Sequence, residues 1–242
     1  MLQLFYMTNQ DFTLEEWLRK HQSQFYPLVS FDAVADRLLD LDFTDANTAL
    51  TADVLNDTAA FSAYVTTQLQ SAGARYGYGG YNEHRTVYSR SPHFSDAAGG
   101  EPRRLHLGMD IWGPAGTPVY APVSGMVHSY AYNNNPSDYG ATIILSHQLD
   151  GRQFYTLYGH LSLADLALAK EGNYVVAGQL LAHFGEPHEN GNWPPHLHFQ
   201  VIEDIGLNEG DYPGVCRYSE REFYLRNCPN PDAIIQWQQW LG

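Results

Sequence analysis

From residue 105 onward the chain is a succession of short β-prone runs: LHLGMDIW, TPVYAPV, GMVHSYAY, ATIILSH, RQFYTLYGH, QLLAHFG and HLHFQVI. Clusters of Gly, Pro, Asn and Asp stand between them. β-Branched and aromatic residues suit a pleated, half-buried surface, and the intervening residues are those that turn a chain. Many short strands with close turns predict an antiparallel sheet, barrel-like or sandwich-like. One helical patch, LADLALAK over 163–170, interrupts the pattern.

The first 75 residues read differently. Thr13 and Glu16 have capping-box spacing, and Leu14, Trp17, Leu18, His21 and Phe25 follow at helical intervals. A second amphipathic run places Phe31, Val34, Ala35, Leu38 and Leu39 on one helical face. A third covers Thr58 to Ala72, with Phe61, Tyr64, Val65 and Leu69 inward and Gly73 as its stop. The expected architecture is therefore α+β and mainly β. A small helical N-terminal region (1–75) precedes a sheet domain (76–242), with the boundary where GARYGYGGYNEH replaces helix formers with Gly and Tyr.

At 242 residues, 44% apolar and 14% aromatic, the chain can bury a sizeable core. Thirteen basic residues against 27 acidic ones give a net charge of −14, which disfavours nucleic acid and anionic membranes as partners. No apolar stretch is long enough for a membrane span. The opening MLQLFYMTNQDF lacks a basic region and a long apolar core, so it does not read as a secretory signal. A cytoplasmic setting is expected, or an exported one if a signal has been removed. Cys216 and Cys228 lack CxxC spacing; one disulfide and two free thiols both remain open.

Of eleven histidines, four stand out together with one aspartate. In HLGMD, His106 and Asp110 are four residues apart around Gly108, a spacing that shares a strand face or is brought together by a turn. Imidazole plus carboxylate is ordinary zinc ligation, and the same pair also suits a surface ion pair. In PPHLHFQV, His196 and His198 are i and i+2 on a strand, so they project from one face, while Leu197 and Phe199 point into a core. Such a pair serves as ligands or as polar sheet residues. His160 ends RQFYTLYGH, where it can reach across a sheet face. His147 is a more distant candidate for supporting the same site.

The order HxGxD, GHL, HxH, with GTPVYAPVSGMV (116–127), DYGATIILSH, FYTLYGHLS and PPHLHFQ, resembles the lysostaphin/LytM-type zinc metallopeptidases over roughly residues 100 to 203. Known members mostly cut peptide cross-links of bacterial cell walls. The resemblance implies that His106, Asp110 and His198 bind Zn²⁺ and that His160 and His196 are the unligated catalytic pair. It also implies a peptide substrate, such as a peptidoglycan cross-link or another small or Gly-containing peptide. Residues 76 to 235, with ENGNWPPHLHFQ and GDYPGV, further resemble the peptidase-like domain of large bacterial proteins that also carry kinase-like and aminotransferase-like domains. Trp193 departs from the family, which has small residues before PHLHF, and this bears on specificity rather than on the metal. Two other functions compete with the endopeptidase: a catalytically silent binding or regulatory module, and a zinc hydrolase of a cytosolic non-wall amide. A last expectation concerns YGYGGYNEHRTVY, which could cover the cleft and bring Asn82 or His84 near the metal, or simply pack as a linker.

Overall fold

The computed structural model describes residues 12–96 and 98–240, so most of the opening segment read above for a secretory signal lies outside the described residues. Among the described residues there are twelve strands: β1 Leu38–Asp40, β2 Tyr76–Gly79, β3 Leu105–His106, β4 Met109–Trp112, β5 Pro118–Tyr120, β6 Gly125–Asn133, β7 Gly140–Leu149, β8 Arg152–Leu161, β9 Tyr174–Val175, β10 Leu180–His183, β11 His196–Ile202 and β12 Val215–Cys216. Six α-helices accompany them: α1 Leu14–Lys20, α2 Ala52–Asn56, α3 Thr58–Ala72, α4 Leu163–Leu166, α5 Arg221–Asn227 and α6 Asp232–Ile235. Eight strands form one sheet in the order β1-β2-β4-β11-β8-β7-β6-β9, and β5/β10 and β3/β12 form two small ladders. Every pair is antiparallel except β1 with β2. The mainly antiparallel α+β expectation holds.

Local chemistry explains the strongest elements. The β7–β8 hairpin turns at Asp150-Gly151, both at positive φ (47° and 80°), the backbone that a tight hairpin between right-twisted strands requires. β6 opens with alternating buried and open positions, as expected of a half-buried strand, whereas all seven residues of β11 are buried. That difference follows from position. β11 lies inside the sheet between β4 and β8, with Leu197, Phe199 and Val201 in the main core.

The N-terminal region is built into this body. α1 starts at the Thr13–Glu16 capping box and sinks Leu14, Trp17 and Leu18 into the main core, with Trp17 edge-on to Phe154 at 6.2 Å. α3 spans the expected residues, capped by Asp57 and ended by Gly73 in the left-handed region. Its Phe61 and Val65 join Phe43, Trp112 and Trp193 in a second apolar cluster.

Residues 31–39 do not form the helix that their spacing predicts. Asp32 accepts the amides of Val34 and Ala35 through its side chain, which sets a turn. Val34 is left 98% exposed. Leu38 and Leu39 then run extended as β1 beside Tyr76 and Gly77. Pairing with a distant strand overrides local periodicity here.

Candidate metal centre

The register of the sheet assembles the site. β11 lies antiparallel to β4 with His198 opposite Asp110 and His196 opposite Trp112, and on its other edge His198 faces Gly159 of β8, next to His160. His106 arrives from β3, one short turn before β4. Gly108 in that turn has a steric role, because a Cβ there would run into the imidazole of His198. The glycine of HLGMD thus permits the approach of the HxH strand.

His106 Nε2 lies 3.3 Å from Asp110 Oδ1, His198 Nδ1 lies 3.2 Å from the same oxygen, and the two nitrogens are 2.9 Å apart. Ligand bonds of 2.0–2.1 Å at tetrahedral angles would separate donor atoms by about 3.3 Å, so this triangle has the size of one face of a zinc site. The outward atoms of all three residues are already engaged. His106 Nδ1 donates to the Gly80 carbonyl at 3.0 Å. His198 Nε2 donates to Gln200 Oε1 at 3.0 Å, while the Gln200 amide nitrogen donates to the Pro213 carbonyl and toward Cys228 Sγ. Asp110 Oδ2 accepts from Arg85 Nη1 at 2.5 Å. Two imidazole lone pairs and a carboxylate oxygen are therefore left facing one point, a donor set that fits a divalent cation.

Burial sets the charge states. His106, Asp110 and His198 are 1%, 2% and 3% exposed. Burial lowers His106 to about 3, aided by the nearby Arg85 guanidinium and only partly offset by Asp110. The same burial would raise Asp110, but the imidazoles and Arg85 overturn it and hold the carboxyl well below the usual range. An anionic Asp110 beside a neutral His106 imidazole is the protonation state that ligation needs.

His160 and His196 stand beside this triangle, ring centroids 4.1 Å apart. His160 Nδ1 donates to the Asn190 carbonyl and His196 Nδ1 to the Pro194 carbonyl, each at 2.8 Å, so both rings keep an unprotonated Nε2. Burial lowers His196 to about 4; it also holds His160 well below its ordinary value, with His196 and His198 adding to the effect. His160 has φ of 62°, an uncommon backbone for a non-glycine residue, fixed by bonds from its amide to the Tyr139 carbonyl and from Gly185 to its own carbonyl. Trp112 stacks on His196 at 3.8 Å and 15°.

All five sequence-identified residues thus line one cavity of about 140 Å³. His147 lies elsewhere, bonded to the Ser124 carbonyl and Thr156 Oγ1. The YGYGGYNEHRTVY segment does reach the centre, through the Gly80 carbonyl and Arg85. Asn82 Oδ1 instead accepts from Arg221 Nε, and the His84 ring meets Tyr218. Arg85 and Gln200 were not legible as site residues. Arg85 carries no ligand chemistry of its own, and the one signal for Gln200 is its place two residues after His198. Cys216 and Cys228 are buried free thiols.

A mainly antiparallel sheet that presents a buried His–Asp–His triangle beside two neutral imidazoles defines a metallopeptidase-type framework. Residues 104–209 match peptidase family M23, and this part of the chain is an M23 domain of the lysostaphin/LytM type. The chain is 30% identical over 133 residues to the L-Ala--D-Glu endopeptidase of Bacillus subtilis, covering 53% of this chain and 39% of that protein. It is 33% identical over 98 residues to the DD-carboxypeptidase/endopeptidase Mpg of Neisseria meningitidis, covering 40% of this chain and 20% of that one. Among solved structures, a zinc containing peptidase from Vibrio cholerae is 29% identical with a TM-score of 0.34, covering 46% of this chain and 31% of that chain. The catalytic domain of lysostaphin from Staphylococcus simulans is 23% identical with a TM-score of 0.39, covering 67% and 96%. The chain therefore spans well under half the length of these curated relatives, and Arg85 lies outside residues 104–209, the segment matched by the family.

Proposed function

We propose that this chain is a zinc-dependent peptidase that hydrolyses peptide bonds in peptidoglycan-type or other small-residue peptides. His106, Asp110 and His198 would hold the metal, and His160 and His196 would handle the proton. The carrying observation is that every outward atom of the three ligand residues is already hydrogen-bonded, leaving only their inward donors to converge. Zinc held there supplies Lewis acidity, polarising a carbonyl and making water acidic near pH ~7. The names of the curated relatives, an L-Ala--D-Glu endopeptidase and a DD-carboxypeptidase/endopeptidase, favour the peptide substrate.

The protein's own groups account for the remaining steps. Each of His160 and His196 has its Nδ1–H committed to a backbone carbonyl, so each presents Nε2 as a base of fixed orientation. One Nε2 takes a proton from the attacking water and delivers it to the leaving amine. The other Nε2, likewise bare and fixed in orientation, accepts a hydrogen bond from the second O–H of that water and aligns it for attack. Burial keeps both rings neutral in the resting site, ready to accept.

The test combines metal analysis with hydrolysis of short peptides and of purified peptidoglycan. His106→Ala and Asp110→Ala should lose stoichiometric zinc. His160→Ala and His196→Ala should keep it while turnover falls by about 10²-fold or more, the range for loss of acid–base catalysis. Wild-type turnover in both His160→Ala and His196→Ala would defeat the assignment.

A further inference from the structure

One side of the cavity over the metal triangle is an aromatic wall. Trp193, Tyr88 and Phe94 are each no more than 6% exposed and contiguous, with Tyr88 6.1 Å from Trp193 and 4.6 Å from Phe94 between ring centroids. Tyr88 also lies 6.3 Å from the His106 ring, and Trp193 lies 6.4 Å from His160, so the wall borders the reacting groups directly.

This wall is braced from behind. Asn190 grips the Trp193 backbone at both ends, accepting its amide at 3.0 Å and donating to its carbonyl at 3.1 Å. The Arg90 guanidinium sits 4.9 Å over the indole, and Phe61 of α3 meets it edge-on at 6.2 Å. Thr58, at the start of α3, donates to the Asn192 carbonyl and accepts from Arg90 Nη2, tying the helix to the loop that carries Trp193. A ring packed between Arg90, Phe61 and Tyr88, on a backbone gripped by Asn190, is a fixed boundary rather than a lid. On another part of the lining, Tyr139 is fixed by its hydroxyl to the Tyr212 carbonyl at 3.1 Å.

Size then becomes restrictive. Cutting within a polymer needs a groove that lets the chain leave on both sides, at about 3.3–3.6 Å per extended residue. A space of about 140 Å³ is below the ~300 Å³ at which pockets for drug-sized ligands begin, so it accommodates little beyond the groups flanking one amide. The lining carries charges of both signs, Arg103 with Asp138 and Asp211, which suits the ends of a zwitterionic molecule.

We infer that Trp193, with Tyr88 and Phe94, is a specificity-determining wall that admits short, uncross-linked peptides with a free terminus and excludes polymeric wall strands. This rests on the peptidase reading above and narrows its substrate class.

The test uses the full zinc-loaded chain and does not depend on turnover. Binding of glycine hydroxamate is compared by calorimetry with that of its heptaglycine counterpart. The short ligand should bind at least about tenfold more tightly, a difference of ~1.4 kcal/mol. In Trp193→Gly, with zinc content and circular dichroism as folding controls, the ratio should move by about tenfold or more toward the long ligand. If that variant does not fold, Tyr88→Ala takes its place. Equal or tighter binding of the long hydroxamate by the unaltered protein overturns the inference, as does an unchanged ratio in the folded variant. Hydrolysis provides a second arm. Release from tri- and tetrapeptides without solubilisation of purified sacculi supports the wall, and comparable rates on both overturn it. Should zinc-loaded protein cleave neither, the peptidase reading fails, while the hydroxamate ratio still decides the enclosure.

Discussion

Arg85 decides the charge balance of the centre. Its guanidinium is fully enclosed and bonded to both Glu83 and Asp110, so removing it leaves the buried Asp110 carboxylate without its cationic partner. Arg85→Met should therefore weaken zinc binding by about 10- to 100-fold, the usual cost of losing a partner that orients a ligand. Competition against a fluorescent chelator measures this, and an unchanged affinity would show that Asp110 is held by other means. The five candidate residues were legible because metal-ligand and acid–base chemistry restricts them to a few types, and HLGMD, YGH and HLH each carry one or two. Arg85 was not, since nothing in the surrounding GYNEHRTVY distinguishes the residue that turns inward from Asn82 and His84, which turn away. Only the pairing of β2 with β4, Gly79 opposite Asp110, brings that segment over the ligands.

α3 shows how an element far from the chemistry shapes it. Its Phe61 is 0% exposed and packs against Phe43, Trp112 and Trp193. Phe61→Ala should cost about 3–5 kcal/mol in urea denaturation, as for other large-to-small core changes. The β7–β8 hairpin contributes a pH-dependent term through His147, which is held between the Ser124 carbonyl and Thr156 Oγ1 and stacked on Phe154. Burial lowers His147 from 6.5 to about 4, so the unfolded chain binds its proton more readily than the folded one. Its stabilisation is complete above pH ~6.5 and is lost as pH falls toward ~4, for a total of about 3 kcal/mol. Denaturation midpoints of the wild type and His147→Gln across that window should converge as the pH drops; parallel curves would rule the effect out. Elements with a local signature were legible, among them α3 with its cap and stop and the seven strand runs. β1 was not, because Leu38 and Leu39 are extended only through a partner, Tyr76 and Gly77, that lies beyond two intervening helices.

On the scale of the whole molecule, the segment matched by the M23 family is not a self-sufficient unit. β2, outside it, covers one edge of β4, and the Gly80 carbonyl and Arg85 complete the hydrogen bonding of two ligand residues. A fragment of residues 104–209 should therefore lose cooperative unfolding and bind zinc at least about tenfold more weakly than the full chain, readable by calorimetry and chelator competition. The strand order has a kinetic corollary. β6, β7 and β8 pair with their neighbours in sequence, but β4 must wait for β11, which is synthesised far later. At translation speeds of ~5–20 residues per second, roughly 4–18 s separate the emergence of Asp110 from that of His198 on a ribosome. Throughout that interval the nascent chain offers only two of the three donors, so secure capture of a cation would be a late event, postponed until β11 has emerged.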